Sequence, residues 1–241
     1  EAINEISKVI VKHGTTAFTP TTMTVAVENI RKSMEVIKEA KENGTDGAIV
    51  LGAHLEGPFI SPKAIGAQNP NFLIQPTLEN YTAMVGDAED AVVSITIAPE
   101  VPGAKELIKE LSQRGVVCSI GHTKATYAEA MEGIKCGCCH STHLFNAMTP
   151  FAHREPGVVG AIFDSEITTE TISDGIHISY PALRIAYNQK TPDKVLLVTD
   201  AMMACGMSDG MYTLGGQDVE VKDGAARLLS GSLAGSILTL D

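Results

Sequence analysis

Seven short apolar runs alternate with helical patterns along most of the chain, and this alternation limits the possible folds more than any other feature. The runs cover residues 15–18, 48–55, 92–98, 116–120, 141–144, 169–173 and 195–199. Between them, apolar residues recur at spacings of three and four, as at Val27, Ile30 and Met34, which indicates amphipathic helices. Such alternation predicts parallel strands joined by right-handed crossovers, in either an open doubly wound sheet or a closed barrel.

Polar residues at the carboxyl ends of these runs distinguish the two architectures. They are Glu56, Glu100, His122, His143, Asp174, His177 and Asp200. In a barrel the strand ends converge on one face, where active sites lie, whereas in an open sheet they spread along an edge. We therefore predict an α/β fold, a (β/α)8 TIM-type barrel. Seven runs favour a barrel whose first strand is missing from this chain.

The pattern changes after Asp200. Three short β-like runs follow, separated by Gly215-Gly216 and Asp223-Gly224, and both dipeptides are typical of hairpin turns. We expect an incomplete barrel over residues 1–208, part of a small β-sandwich domain over 209–230 and a return to the barrel over 231–241. The chain begins at Glu1 without Met and ends just after an apolar run, so we expect a fragment of a longer protein.

The charge balance excludes several classes of partner. Eighteen Lys and Arg residues stand against 29 Asp and Glu residues, for a net charge of −11 at pH 7. Binding to DNA, RNA or an anionic membrane needs a basic field, so we expect neither a nucleic-acid nor a membrane partner. No apolar run reaches the ~18 residues of a membrane span, and the five cysteines form no secreted disulfide framework. We expect a cytoplasmic protein.

Glu56, His122 and His143 are the candidate metal ligands. Each has an ordinary structural explanation by itself, since a strand-end carboxylate can cap backbone amides and a lone His is often structural. Together, one carboxylate and two imidazoles from three strand ends form a set that leaves positions open for water and substrate, as catalytic zinc requires. Strand alternation places His140 and His143 on opposite faces, so only one of them is expected to face a central site.

Two further features concern acid–base chemistry and anion binding. Asp200 is the only acid in a nearly all-apolar run and lies at its tip, where ionisation costs desolvation energy, so we interpret it as the general base. Arg154 and His177 follow other strands and suit an anionic group of a substrate, because Arg presents a planar fork for phosphate or carboxylate. A loop salt bridge explains Arg154 equally well.

Eight short segments occur in the order seen in the N-acetylglucosamine-6-phosphate deacetylases of the amidohydrolase superfamily, and the chain resembles this family over nearly its whole length. The segments are residues 14–16, 54–59, 96–100, 121–123, 142–148, 154–157, 174–177 and 199–202. The resemblance implies a metal-dependent barrel with a small β-domain. It also implies hydrolysis of the N-acetyl group of N-acetylglucosamine 6-phosphate to glucosamine 6-phosphate and acetate.

The resemblance also assigns roles to individual residues. Glu56, His122 and His143 become the ligands of one divalent metal ion, with zinc expected and iron, manganese or cobalt as alternatives. Asp200 becomes the acid/base that takes a proton from a metal-activated water and returns it to the leaving amine. The implied substrate contacts are Asn146, Ala147, Arg154, His177, Leu233, Ala234 and Gly235. The resemblance further implies a homodimer in which a neighbouring subunit can complete the phosphate pocket.

The sequence departs from the family pattern in two places. The first barrel strand of the family carries a His-x-His pair that holds a second metal in some members, and this chain begins after it. Gln68 stands where some members have a His that polarises the substrate carbonyl, and Gln can donate a hydrogen bond but carries no charge.

Two alternatives to this function remain. One is another amidohydrolase, such as a cyclic amidase or deaminase, in which Arg154 and His177 would have no evident role. The other is an inactive barrel fragment that acts only as a binding scaffold, with open strand edges.

Overall fold

A computed structural model describes all 241 residues. Nine strands precede residue 200: β1 (Ala17–Phe18), β2 (Thr21–Thr22), β3 (Ile49–Val50), β4 (Ala53–Glu56), β5 (Val92–Ile97), β6 (Val117–Ile120), β7 (Cys138–Ser141), β8 (Thr168–Ile172) and β9 (Val195–Val198). Seven α-helices lie between and before them: α1 (Ala2–Ile10), α2 (Val27–Asn43), α3 (Leu78–Val85), α4 (Ala104–Gln113), α5 (Tyr127–Cys136), α6 (Gly157–Phe163) and α7 (Tyr180–Lys190). None of these helices has the length and apolar composition that a membrane crossing requires.

Seven of the strands form one parallel sheet in the order β2-β4-β5-β6-β7-β8-β9. Neighbours in the sheet follow the order of the chain, whereas an open doubly wound sheet reverses its strand order at a switch point. The α/β class and the barrel-type arrangement are therefore confirmed. Strands β2 and β9 lie at the two edges of the sheet and do not pair with each other.

Two of the predicted strand runs differ from the structure. The run at residues 48–55 is divided into β3, which pairs with β1, and β4, which pairs with β2. The division falls at Gly52, whose φ of 139° and close approach to the Ala91 carbonyl leave no room for a side chain. The run at residues 141–144 is wrong as a strand, because β7 ends at Ser141 and a turn with positive φ at His143 follows.

The main core lies between the sheet and the helices. Ile30, Met34 and Ile37 of α2 are buried on one helix face, as their spacing predicted. They join the apolar strand residues, such as Leu55 and Ile95, in one large cluster. The core thus uses one face of the sheet and leaves the other face for polar side chains.

The opposite face of the sheet, inside the barrel, is polar and hydrogen-bonded. His54 Nε2 lies 2.7 Å from the Thr96 hydroxyl, which lies 2.7 Å from the Thr142 hydroxyl. The chain of contacts continues over 2.6 Å from Thr142 to Ser119. Barrel interiors are usually filled by branched apolar residues, so this interior is unusual and supports a polar site at the strand ends.

The last part of the chain forms a small antiparallel sheet of β10 (Gly210–Leu214), β11 (Gln217–Lys222) and β12 (Ala225–Leu228). All four residues of its two turns have positive φ, between 51° at Asp223 and 82° at Gly216, which confirms the hairpin prediction. After β12 the chain returns to the large sheet, where Ser236 bridges to Ala201. The division into domains at residues 208 and 230 stays a prediction.

Thr126 caps the helix that follows the His122 loop. Its hydroxyl accepts the backbone N–H of Glu129, and the Glu129 carboxylate accepts the backbone N–H of Thr126 over 2.8 Å. We expect Thr126→Ala to lower the free energy of unfolding by about 1 kcal/mol, because it leaves a helix N–H unpaired. Urea unfolding followed by circular dichroism measures the change. Thr126→Ser keeps the hydroxyl and serves as the control; equal losses in the two variants would contradict the capping role.

Candidate metal centre and active site

The four principal candidate residues lie at the carboxyl ends of the strands. Glu56 is the last residue of β4, and His122, His143 and Asp200 each lie two residues beyond the ends of β6, β7 and β9. Since the strands are parallel, these ends meet on one face, and all four residues line one cavity.

The three residues beyond the strand ends share an uncommon backbone conformation. Their φ angles are 46° at His122, 27° at His143 and 49° at Asp200. Positive φ is rare for residues other than Gly, and such strain often occurs at functional sites. In each case this residue lies where the strand has already ended and the chain turns into a loop.

Glu56, His122 and His143 form a compact buried cluster. His122 Nε2 lies 3.0 Å from Glu56 Oε1 and 3.1 Å from His143 Nε2. His143 Nε2 lies 3.8 Å from the same carboxylate oxygen. A zinc ion with tetrahedral bonds of 2.0–2.1 Å holds its ligand atoms about 3.3 Å apart, so the cluster fits a metal ion. Within the structure these three residues can hold one.

Neighbouring groups fix the orientation of the cluster. His122 Nδ1 lies 2.9 Å from the Ala64 carbonyl oxygen, which can only accept, so this nitrogen carries the proton and Nε2 has its lone pair free. Gln68 Nε2 donates to Glu56 Oε1 over 2.9 Å, while its Oε1 accepts the Thr24 N–H over 2.7 Å. Gln68 therefore holds a ligand, a role that differs from the carbonyl contact considered from the sequence.

Burial and close charges shift the pKa values of the site. Burial raises the pKa of Glu56, but its hydrogen bond to His122 and its close contact with His143 outweigh burial and hold the pKa well below the ordinary value. Burial lowers the pKa of His143, but its close contact with the Glu56 carboxylate and the charge of that carboxylate raise the pKa to about 9. Burial and the charge of Glu56 raise the pKa of Asp200 to about 7. A metal ion must therefore displace a proton from His143 when it binds.

The cavity above the cluster has a volume of about 760 Å³, within the range of small-molecule sites. Most of the predicted substrate contacts line it: Gln68, Asn146, Ala147, His177, Leu233 and Gly235. The His177 ring is held by Asp174, whose Oδ2 lies 2.6 Å from His177 Nδ1. Asp174 Oδ1 also accepts the backbone N–H of His177 over 2.7 Å, so a single carboxylate orients this residue.

Two predicted contacts do not line the cavity. Arg154 is exposed in the loop between β7 and α6, and its guanidinium donates to His153 Nε2 over 2.8 Å. Ala234 is fully buried in a small apolar cluster with the β10–β12 sheet, where its N–H donates to the Ala226 carbonyl. The side chain of Ala234 therefore faces the sheet, and only its neighbours reach the cavity.

Sequence reasoning missed two lysines of the cavity wall. Lys63 and Lys124 both line the cavity and are exposed, whereas Glu56 is buried at its floor. Lys124 lies two residues after His122, and that position was a usable signal. Lys63 lies in an irregular loop after Glu56, where no periodic pattern marks it.

The raised pKa of Asp200 predicts a pH-dependent stability. The folded protein keeps a proton that the unfolded chain, with its ordinary pKa of 3.8, releases at lower pH. Stability contributed by this proton is present below pH 3.8 and is lost as the pH rises to about 7. In the presence of a chelator, we expect Asp200→Asn to be more stable than the parent by about 1 to 3 kcal/mol at pH 8. The gain in stability should be smaller at pH 4.5, where Asp200 of the parent is protonated. Urea unfolding at the two pH values measures this; a difference independent of pH would contradict it.

Comparison with known proteins identifies the family of the chain. Residues 1–213 match the amidohydrolase family. N-acetylglucosamine-6-phosphate deacetylases of Lysinibacillus sphaericus and Bacillus subtilis are 40% and 42% identical to the chain over 100% and 95% of its length. The matches span only 62% and 59% of these two relatives.

A solved structure shows the same fold. A mutant N-acetyl-D-glucosamine-6-phosphate deacetylase from Mycobacterium smegmatis, in complex with N-acetyl-D-glucosamine-6-phosphate, has a TM-score of 0.90 and 36% identity. The match covers 94% of this chain and 59% of the mycobacterial one. The fold, the strand-end cluster and the sequence match over residues 1–213 together establish that the chain belongs to the amidohydrolase family.

Proposed function

We propose that the chain is the catalytic part of an N-acetylglucosamine-6-phosphate deacetylase. The reaction hydrolyses the N-acetyl group of N-acetylglucosamine 6-phosphate and releases glucosamine 6-phosphate and acetate. The observation that carries this proposal is that the Glu56/His122/His143 cluster and Asp200 line one cavity, in a chain 40% identical to a deacetylase of that name. The three ligand candidates and Asp200 are all present in this chain, which argues against a role as a scaffold only.

Glu56, His122 and His143 would hold one divalent metal ion. Two imidazole nitrogens and one carboxylate oxygen suit zinc, iron(II), manganese or cobalt, and of these we propose zinc. When bound, the ion supplies a Lewis acid that acidifies a water and polarises the amide carbonyl.

Asp200 moves the proton of the reaction. Its carboxylate oxygen accepts a proton from the attacking water and then delivers it to the nitrogen of the leaving amine. A pKa raised to about 7 by burial and the Glu56 charge supports this role, since such a group both takes and gives a proton near neutral pH. The site must therefore keep Asp200 partly shielded from solvent as well as close to the substrate.

The charges of the cavity support an orientation for the substrate. The two carboxylates, Glu56 and Asp200, belong to the floor, and the two lysines, Lys63 and Lys124, are exposed. A phosphate matches the lysines, because opposite charges then meet, whereas the neutral acetamide is the end of the substrate that can lie against the carboxylates without like-charge repulsion. We propose that Asn146 and His177 orient the sugar between these ends.

The exposed position of Arg154 is compatible with a role in a second subunit. In a homodimer, an arginine outside its own cavity can contribute its fork to the phosphate of the neighbouring site. We propose this arrangement for Arg154. We also propose a cytoplasmic location, which agrees with five free cysteines.

The proposed reaction is tested with the purified chain and added zinc, by acetate release for the two acetylated sugars and by ring opening for a cyclic amide. The substrates are N-acetylglucosamine 6-phosphate, unphosphorylated N-acetylglucosamine and a cyclic amide. Metal-dependent release from the phosphorylated sugar alone supports the proposal. Hydrolysis of the cyclic amide instead would assign the site to another amidohydrolase reaction, and a folded, zinc-loaded chain without any activity would contradict the proposal.

Asp200→Asn should lower kcat by on the order of 10² to 10⁴, because the amide cannot accept the proton of the water. Zinc content, measured by mass spectrometry of the metal, should stay close to that of the parent. Asp193→Asn removes an exposed acid just before β9 and is the matched control, with unchanged kcat expected. A turnover near the parent value in Asp200→Asn would remove this residue from the mechanism.

Arg154→Ala should raise KM for N-acetylglucosamine 6-phosphate by about 10- to 100-fold, the loss expected for a hydrogen-bonded charge pair. KM for the unphosphorylated sugar should not change. Arg184→Ala, at an exposed arginine of α7, is the control for the loss of one positive charge. An equal rise in KM for both sugars would contradict the phosphate role.

A further inference from the structure

A second group of polar side chains lies between β7 and β8, outside the roles described so far. Glu170 Oε1 lies 3.0 Å from His140 Nε2, and His140 Nδ1 lies 2.6 Å from the Thr168 hydroxyl. The side chains of His140 and Glu170 are only 10% and 16% exposed. The acid–imidazole pair is therefore largely removed from solvent, where such pairs need every hydrogen bond satisfied.

The other oxygen of Glu170 reaches the metal cluster through the backbone. Glu170 Oε2 accepts the backbone N–H of His143 over 3.2 Å. The backbone carbonyl of Glu170 accepts the N–H of Leu144 over 2.9 Å. The regular pairing of β7 with β8 stops at Ser141, so these two bonds from one residue connect the turn carrying His143 to the sheet.

The turn needs such support because its backbone is unfavourable. The φ angles are 27° at His143, 73° at Phe145 and 50° at Ala147, all in the left-handed region and none at a glycine. Residues persist there only when the surroundings hold them. Asn146 supports the turn from within, since its side chain donates to the carbonyls of His143 and Leu144.

We propose that Glu170 is a positioning residue that holds His143 with its Nε2 directed at His122, and that His140 and Thr168 fix the Glu170 carboxylate in turn. His140 thus acts on the site indirectly, through Glu170, although strand alternation placed it on the face opposite to His143. The inference rests on the metal centre of the proposed function and is independent of the substrate.

A purely structural role for Glu170 would change stability without changing the metal site. The test therefore measures zinc affinity, by competition with a chromogenic chelator, together with the free energy of unfolding. Glu170→Met keeps most of the volume and removes both acceptors, and we expect zinc to bind about 10- to 100-fold more weakly. Glu170→Gln retains an acceptor for His143 and a donor for His140, and it should restore the affinity to within about 3-fold of the parent.

Two further variants separate a loss of stability from a loss of zinc affinity. Thr171→Val removes a buried hydroxyl from the opposite face of β8, so it should lower stability and leave zinc affinity unchanged. His140→Leu leaves the Glu170 acceptor but removes its partner, and it should weaken zinc binding by about 3- to 10-fold even if Glu170→Met fails to fold.

Hydrogen exchange gives a readout without metal. The amide of His143 should exchange faster in Glu170→Met and His140→Leu than in Thr171→Val. Parent-like zinc affinity in Glu170→Met or His140→Leu, or an equal loss in Thr171→Val, would overturn the positioning role while leaving the proposed deacetylase intact. A parent chain that does not bind zinc would overturn both.

Discussion

Parallel pairing in chain order is the constraint on which the rest of this structure depends. It places the carboxyl ends of successive strands on one face, so Glu56 at the end of β4 and Asp200 beyond β9 line the same cavity although most of the chain separates them. Backbone hydrogen bonds hold the strand ends in register, and the packed helices hold the sheet. The functional side chains therefore stand on rigid elements, as a catalytic site requires.

The site itself reduces stability locally. Three of its residues have left-handed backbone, and the charges of Glu56 and Asp200 are buried close together. Three hydrogen bonds compensate in part. Gln68 donates to the Glu56 carboxylate, while the Ala64 carbonyl accepts from the His122 ring and the Glu170 carboxylate accepts from the His143 backbone. The polar interior beneath the strand ends is thus part of the site and explains why this barrel lacks the usual apolar filling.

The sequence was sufficient for most of the alternation of strands and helices, for the hairpin turns and for the placement of the three ligand candidates in one cluster, because apolar period and strand-end position are local signals. It did not indicate β2, the two-residue strand at one edge of the large sheet. It was not sufficient where contacts between residues distant in the sequence determine where a strand is divided or ends. The division at Gly52 follows from a close approach to Ala91, and the end of β7 follows from a turn held by Glu170. Lys63 lines the cavity from an irregular loop, while Arg154 is exposed and does not line the cavity; neither position has a periodic pattern.

The central claim is that Glu56, His122 and His143 bind a metal ion at the floor of the cavity. Anomalous X-ray diffraction at the zinc edge, on crystals of this chain grown with zinc, tests it most directly. The account predicts an anomalous peak within about 2.0–2.2 Å of the Nε2 atoms of both histidines and of a Glu56 oxygen. Zinc bound only elsewhere on the folded chain, with no peak between these three residues, would contradict it.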